Sequence, residues 1–102
     1  MNELLNALRS EGLDIVLYAW DRSPNGDYGV ISLDSTDDLI CDNHHSESGL
    51  IAFVDYFTRD SSLTPKATIE AVLERFCAYR LNSVQYEDDT KYIHYEWRIF
   101  IL

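Results

Sequence analysis

The chain has 102 residues, 46% of them hydrophobic and 13% aromatic, and its 8 basic against 18 acidic side chains leave a net charge of −10. The hydrophobic share excludes a disordered acidic tail. A chain of this size buries roughly two-thirds of its unfolded surface, enough for one core and too little for a barrel enzyme or a two-domain nucleotide enzyme. The acid surplus also excludes a general phosphate-backbone binder, which needs a surplus of Lys and Arg to release counterions.

No run approaches the roughly 20 apolar residues that span a bilayer, and Met1-Asn2-Glu3 lacks the basic flank and apolar block of a secretory leader. An intracellular protein with no membrane association is expected, and in that compartment Cys41 and Cys77 read as reduced thiols.

In chain order, Asn2 is placed to cap a short helix whose Leu4, Leu5 and Leu8 share one face, and Gly12 suits the left-handed residue that ends it. From 13 to 20 the residues are apolar on both alternating faces, which predicts a strand covered on both sides. Pro24 and the pair Asn25-Gly26 then predict a hairpin-type reversal into a second strand over 28–33. Residues 34–49 are polar, relieved only by Leu39-Ile40-Cys41, and read as a long loop or protruding hairpin. A third strand is expected over 50–57.

Thr64 is positioned to cap a helix with Pro65 at its first turn, and Ile69, Val72, Leu73 and Phe76 repeat at helical spacing. Val84 and Tyr86 are read as opening a fourth strand, and Asp88-Asp89-Thr90-Lys91 as the turn after it. In the last strand Ile93, Tyr95, Trp97, Ile99 and Ile101 share one face, while His94, Glu96 and Arg98 share the other. The order α-β-β-β-α-β-β predicts one α+β domain over 1–102, with an antiparallel or mixed sheet and both helices packed on one face.

Chemistry-bearing motifs are sparse. Cys41, Asp42, His44 and His45 have ligand chemistry that zinc prefers, but a structural zinc site needs two paired groups, and no second Cys/His pair exists in the sequence. The reading is an exposed polar loop, with neither metal nor cofactor. Cys77 follows Phe76 on the helix and reads as a small core residue; His94 stands alone on the polar face of the last strand. Asp37-Asp38 and Glu87-Asp88-Asp89 are acids of the kind found on solvated turns. No nucleophile, base and orienting partner are named by spacing, so no enzyme is expected.

Charge distribution is more informative. Between Ser23 and Thr58 the chain carries seven acids, Asp27, Asp34, Asp37, Asp38, Asp42, Glu47 and Asp55, and no Lys or Arg. Such a surface repels polyanions and attracts basic partners within about 8–10 Å at ordinary ionic strength. With two tryptophans, seven tyrosines and four phenylalanines, aromatic side chains exceed what one small core needs. Tyr56, Tyr86, Tyr92, Tyr95 and Trp97 are therefore candidates for a subunit interface, helped by a last strand whose edge, unless central, accepts a neighbour's strand.

The runs Val54-Asp55-Tyr56-Phe57-Thr58-Arg59-Asp60 and Leu81-Asn82-Ser83-Val84-Gln85-Tyr86-Glu87-Asp88-Asp89-Thr90-Lys91-Tyr92-Ile93-His94-Tyr95-Glu96-Trp97, on either side of the Pro65 helix, resemble small prophage proteins encoded among tail-assembly genes. Over residues 50–102 the chain is similar to the tail-terminator or tail-completion family of long-tailed bacteriophages. That resemblance implies an α+β subunit of a ring, commonly of six, at the head-proximal end of the tail tube. Its partners would be copies of itself, tail-tube proteins and head-connector proteins, first in the host cytoplasm and then in the virion. DNA would pass through the ring, and Asp34, Asp37, Asp38, Asp42 and Glu47 are expected to line an acidic bore that does not hold a duplex carrying about one charge per 1.7 Å. The alternative from the residues alone is an acidic DNA mimic or another protein-binding module, with acids spaced like phosphates along one face.

Overall fold

The computed structural model describes residues 2–18, 26–33 and 49–101. Helix α1 spans Asn2–Ser10, and its Leu4, Leu5 and Leu8 are buried on one face. Glu3 in its first turn and Arg9 in its last complement the helix dipole, and Arg9 Nε donates to the Ile15 carbonyl at 2.9 Å, tying the helix to the next strand. Gly12 ends the helical path at φ +83°, a conformation that only glycine adopts without strain.

Strands β1 (Ile15–Leu17), β2 (Tyr28–Leu33) and β3 (Leu50–Thr58) precede helix α2 (Thr64–Phe76), and β4 (Ala78–Tyr86) and β5 (Ile93–Ile101) complete the chain. They form one five-stranded sheet in the order β1-β2-β3-β5-β4. Only β1 and β2 run parallel; the other neighbours are antiparallel, so the sheet is mixed and the fold is α+β. No described helix is long and apolar enough to cross a membrane.

The core lies between the two helices and one face of the sheet. Ile31, Val54, Trp97 and Leu81 follow one another across β2, β3, β5 and β4, and Leu33, Ala52, Ile99 and Tyr79 form the adjacent row. Ile69, Val72 and Leu73 of α2 are buried against them. Trp97 is 0% exposed, and its indole N–H donates to Glu70 Oε2 of α2 at 2.9 Å, so the largest buried ring has its polar atom satisfied. Gly29 stands opposite Tyr56; a Cβ there would come within 2.9 Å of the Tyr56 ring and 3.0 Å of the Asp55 carbonyl oxygen. The missing side chain is what lets that ring lie against β2.

Several sequence expectations need correction. Of the strand expected over 13–20, the described residues show Ile15–Leu17, with β2 as its one partner among the described strands. Its direction matches that of β2, so the connection returns the chain to the same end of the sheet and is not a hairpin. Thr64 is the first residue of α2 and not its cap; Leu63 occupies the cap position and offers no side-chain hydrogen bond, while its carbonyl accepts from the Ala67 N–H at 2.9 Å. Strand β4 begins at Ala78, directly after the helix, so Val84 and Tyr86 fall at its end. Finally, β5 is central, lying between β3 and β4, and among the described strands β4 is the long one at the edge.

Replacing Trp97 by Ala removes the largest buried side chain and is expected to cost about 3–5 kcal/mol in urea unfolding. Val84→Ala, at a position 51% exposed, should cost under about 0.5 kcal/mol in the same measurement. Gly29→Ala is expected to destabilise by about 1–3 kcal/mol through overpacking against Tyr56.

Candidate functional site

Alternation sends every second side chain of the sheet away from the helices, and no described element packs over that second face. Across β2, β3, β5 and β4 its rows read Tyr28, Phe57, His94, Gln85; then Val30, Asp55, Glu96, Ser83; then Ser32, Phe53, Arg98, Arg80; and last Ile51, Phe100, Ala78. The first row is a stack of rings. Tyr28 lies 4.6 Å from Phe57, and Phe57 lies 4.2 Å from the His94 imidazole, both nearly parallel. Tyr92 meets Tyr28 and Phe57 edge-on, and the Arg59 guanidinium sits 4.0 Å over the Tyr92 ring. Asp27 fixes the same corner by accepting from Thr58 Oγ1 at 2.6 Å and from the Arg59 N–H at 3.2 Å.

His94 is the most engaged titratable group of this face. Its Nε2 is 2.7 Å from Asp55 Oδ1, and its Nδ1 is 3.9 Å from Glu87 Oε2. The Asp55 hydrogen bond raises its pKa, partial burial opposes the rise, and the charges of Asp55, Glu87 and Glu96 add to it. Asp55 and Glu96 are direct cross-strand neighbours, an arrangement of like charges that an imidazolium beside Asp55 offsets.

Among the described residues no thiol stands beside this cluster. Cys77 precedes Ala78, the partner of Phe100, six positions along β5 from His94. At about 3.3 Å per residue the two lie roughly 20 Å apart. The Cys77 thiol is half-buried, donates to the Leu73 carbonyl at 3.4 Å, and is pushed up in pKa by burial, as suits a packing residue. Neither of two clefts lined by described residues includes His94. One, of about 330 Å³, is formed by Ile51, Ala78, Arg80, Arg98 and Phe100 with the backs of Tyr79 and Ile99; the other, of about 360 Å³, lies between Glu11 and α2.

The residues expected to form an interface are mostly used in the chain's own interior. Tyr56, Tyr92, Tyr95 and Trp97 are 3%, 5%, 4% and 0% exposed, because the alternation that made them look like an aromatic stripe faces them into the core or under Arg59. Burial and the charges of Asp27 and Asp14 push the Tyr56 phenol up to about 12. Only Tyr86 of the five is open, at 59% exposure, with Val84 two residues before it. Leu63 is also exposed and lies at the same end of the sheet, since Thr58, Ile93 and Tyr86 share one row and 59–63 continue from there.

Asp34, Asp37, Asp38, Asp42 and Glu47, and the Cys41, His44 and His45 group, lie outside the described residues. Of the seven acids in that stretch, Asp27 and Asp55 are described, and both are bound into the contacts above rather than spread along a face. Among the described residues no group of three or more His, Cys, Asp or Glu side chains is placed to hold a metal ion. What the sequence did not single out is the facing of Arg80 and Arg98, since β4 was read as starting after Arg80. The apolar, partly buried row beginning at Tyr79 was the available signal.

The fold and its surfaces define a class: an α+β domain in which the described residues form two helices on one face of a five-stranded mixed sheet with an aromatic, charged second face. No protein-family model and no curated protein matches the chain.

Because the folded His94 titrates above its ordinary value of 6.5, its stabilising contribution is complete below that pH and is lost as pH rises through the raised value. Urea midpoints of the wild type and of His94→Gln should therefore differ most at mildly acidic pH and converge in the alkaline range. Asp55→Asn should flatten the wild-type profile; an unchanged difference across pH would refute the pairing.

Proposed function

We propose that this chain is a structural subunit of a bacteriophage tail, of the tail-terminator or tail-completion kind, which closes into a ring with copies of itself at the head-proximal end of the tail tube. The reading works through shape and charge, without bond-making or bond-breaking. The resemblance over residues 50–102 supports it, and that stretch is one contiguous structural unit: β3, β5 and β4 are adjacent strands, with α2 packed behind them.

The observation that carries the reading is the surface at the free edge of the sheet. There β4 runs for nine residues with no described strand on its other side and presents Val84 and Tyr86 to solvent, side chains that a neighbouring subunit would cover. A shift in register between Leu81 and Ser83 breaks the edge into two short segments, with Arg80 and Asn82 exposed beside it. Bulges and charges of this kind discourage indiscriminate strand pairing and leave side-chain docking to select the partner. A net charge of −10 suits a ring through which duplex DNA slides without being held.

Negatively stained preparations, alone or with tail tubes, are expected to show rings of uniform diameter capping or matching the tube end. The protein should not be retained on duplex DNA at about 0.1 M salt. Particles that stay monomeric in solution and leave tube ends bare would overturn the proposal, and firm DNA retention would overturn the unreactive bore.

A further inference from the structure

The turn between Tyr86 of β4 and Ile93 of β5 is fastened to the rest of the chain by contacts of different kinds. Within it, the Glu87 N–H donates to the Tyr92 carbonyl and the Lys91 N–H to the Glu87 carbonyl, both at 2.8 Å. Lys91 has φ +67°, a left-handed conformation that a residue other than glycine holds only where its surroundings impose it. From outside the turn, Arg59 Nε donates to the Thr90 carbonyl at 2.9 Å, and the Tyr92 hydroxyl donates to the Gly26 carbonyl at 2.8 Å. A guanidinium keeps its charge throughout the physiological range, so the Arg59 contact does not depend on pH.

Another fastening runs through His94. Its ring stands between carboxylates on two different elements: Asp55 Oδ1 of β3 lies 2.7 Å from Nε2, and Glu87 Oε2 of the turn lies 3.9 Å from Nδ1. The Glu87 carboxylate is oriented by Thr90 Oγ1, which donates to its Oε1 at 2.9 Å. Phe57 stacks on the imidazole at 4.2 Å and fixes its plane. The His94 side chain is 21% exposed, so the ring exchanges its proton with solvent.

Among the described residues, the titratable groups around this ring are Asp55 on β3, Glu87 in the turn, Glu96 on the same side of β5, and Tyr28 and Tyr92 in the aromatic stack. Phe57 and Gln85 are its neutral cross-strand neighbours; Arg59 lies over Tyr92, and Arg98 lies beyond Glu96 on β5. The helices are on the other face of the sheet. Acids thus dominate the surroundings, and the Asp55 hydrogen bond leads them in raising the His94 pKa, against the effect of partial burial.

The two contacts respond differently to the loss of a proton. A carboxylate only accepts, so each contact needs an N–H, and an imidazolium supplies two where a neutral ring supplies one. The shorter contact, to Asp55, keeps the single proton on Nε2. Nδ1 then turns a lone pair toward Glu87, and attraction on that side becomes repulsion.

We propose that His94 is a pH-sensitive clasp on the β4–β5 turn: the imidazolium joins Glu87 of the turn to Asp55 of β3, and the neutral ring keeps Asp55 and releases Glu87. The clasp works within one chain and does not depend on the ring assembly of the preceding subsection. Its output is the order of the hairpin end that carries the exposed Asp88 and Asp89, fastened below the His94 midpoint and loosened above it.

The test is NMR on the full chain titrated from about pH 5 to 9, with His94→Gln identifying the imidazole among the three histidines. Neutral His94 is expected to carry its proton on Nε2, and the amide resonances of residues 88–91 should move with the His94 midpoint. Protection of the Lys91 amide against hydrogen exchange should fall about three-fold or more across that midpoint. These readouts are made on the wild type. Glu87→Gln, which keeps an oxygen for Thr90, should lower the midpoint by about 0.3 pH units or more and leave the turn amides unresponsive near it, with circular dichroism to confirm folding. A neutral ring protonated on Nδ1, turn amides that ignore the His94 midpoint, or a folded Glu87→Gln variant whose turn still follows it would overturn the clasp while leaving the ring proposal standing.

Discussion

Trp97 and the helix above it set the geometry on which the other surfaces depend. The ring is fully buried at the centre of the sheet, and Glu70 of α2 receives its indole N–H, so the helix is held over β5 at one point along its length. With α2 fixed there, Ile69, Val72 and Leu73 cover the middle of the sheet. The far end of β4 extends past that cover, leaving Val84 and Tyr86 in solvent although they point to the same side as Leu81 and Tyr79. A single buried hydrogen-bonded aromatic thus helps decide which side chains are core and which stay in solvent.

The second face follows from the same constraint. Since both helices lie on one side, the opposite side chains of β2, β3 and β5 organise among themselves. The stack of Tyr28, Phe57 and His94 and the Asp55 contact do so through rings and a charge-assisted hydrogen bond. In a strongly acidic chain, each of these local pairings reduces self-repulsion: Asp27 beside Thr58 and Arg59, Glu70 between Lys66 and Trp97, and Asp55 beside His94. The two ends of the β4–β5 hairpin differ: Asp88 and Asp89 are exposed in the turn, and Arg80 is exposed beside the register shift near the start of β4.

His94 has Asp55 as a carboxylate partner and lies about a sheet's length from the thiol of Cys77, whose pKa is raised by burial. The exposed Arg80 and the register shift beside it are features that make an edge strand a poor template for indiscriminate pairing.

Local pattern was enough to place most of the elements. Leu4, Leu5 and Leu8 with Gly12, the strand over 28–33, the apolar repeat of α2 and the two-faced alternation of β5 were all legible, because each depends on periodicity or on a residue with a distinctive backbone preference. Strand partners were not legible. Whether β1 and β2 run parallel, whether β5 is central, and which aromatic rings are buried depend on which faces meet, and that is set by long-range packing between residues far apart in sequence. The chain alone announced a surplus of acids and aromatic rings; only the folded sheet decided that Tyr56, Tyr95 and Trp97 belong to the interior and that Arg80 faces Arg98, since cross-strand register has no signature in either segment taken by itself.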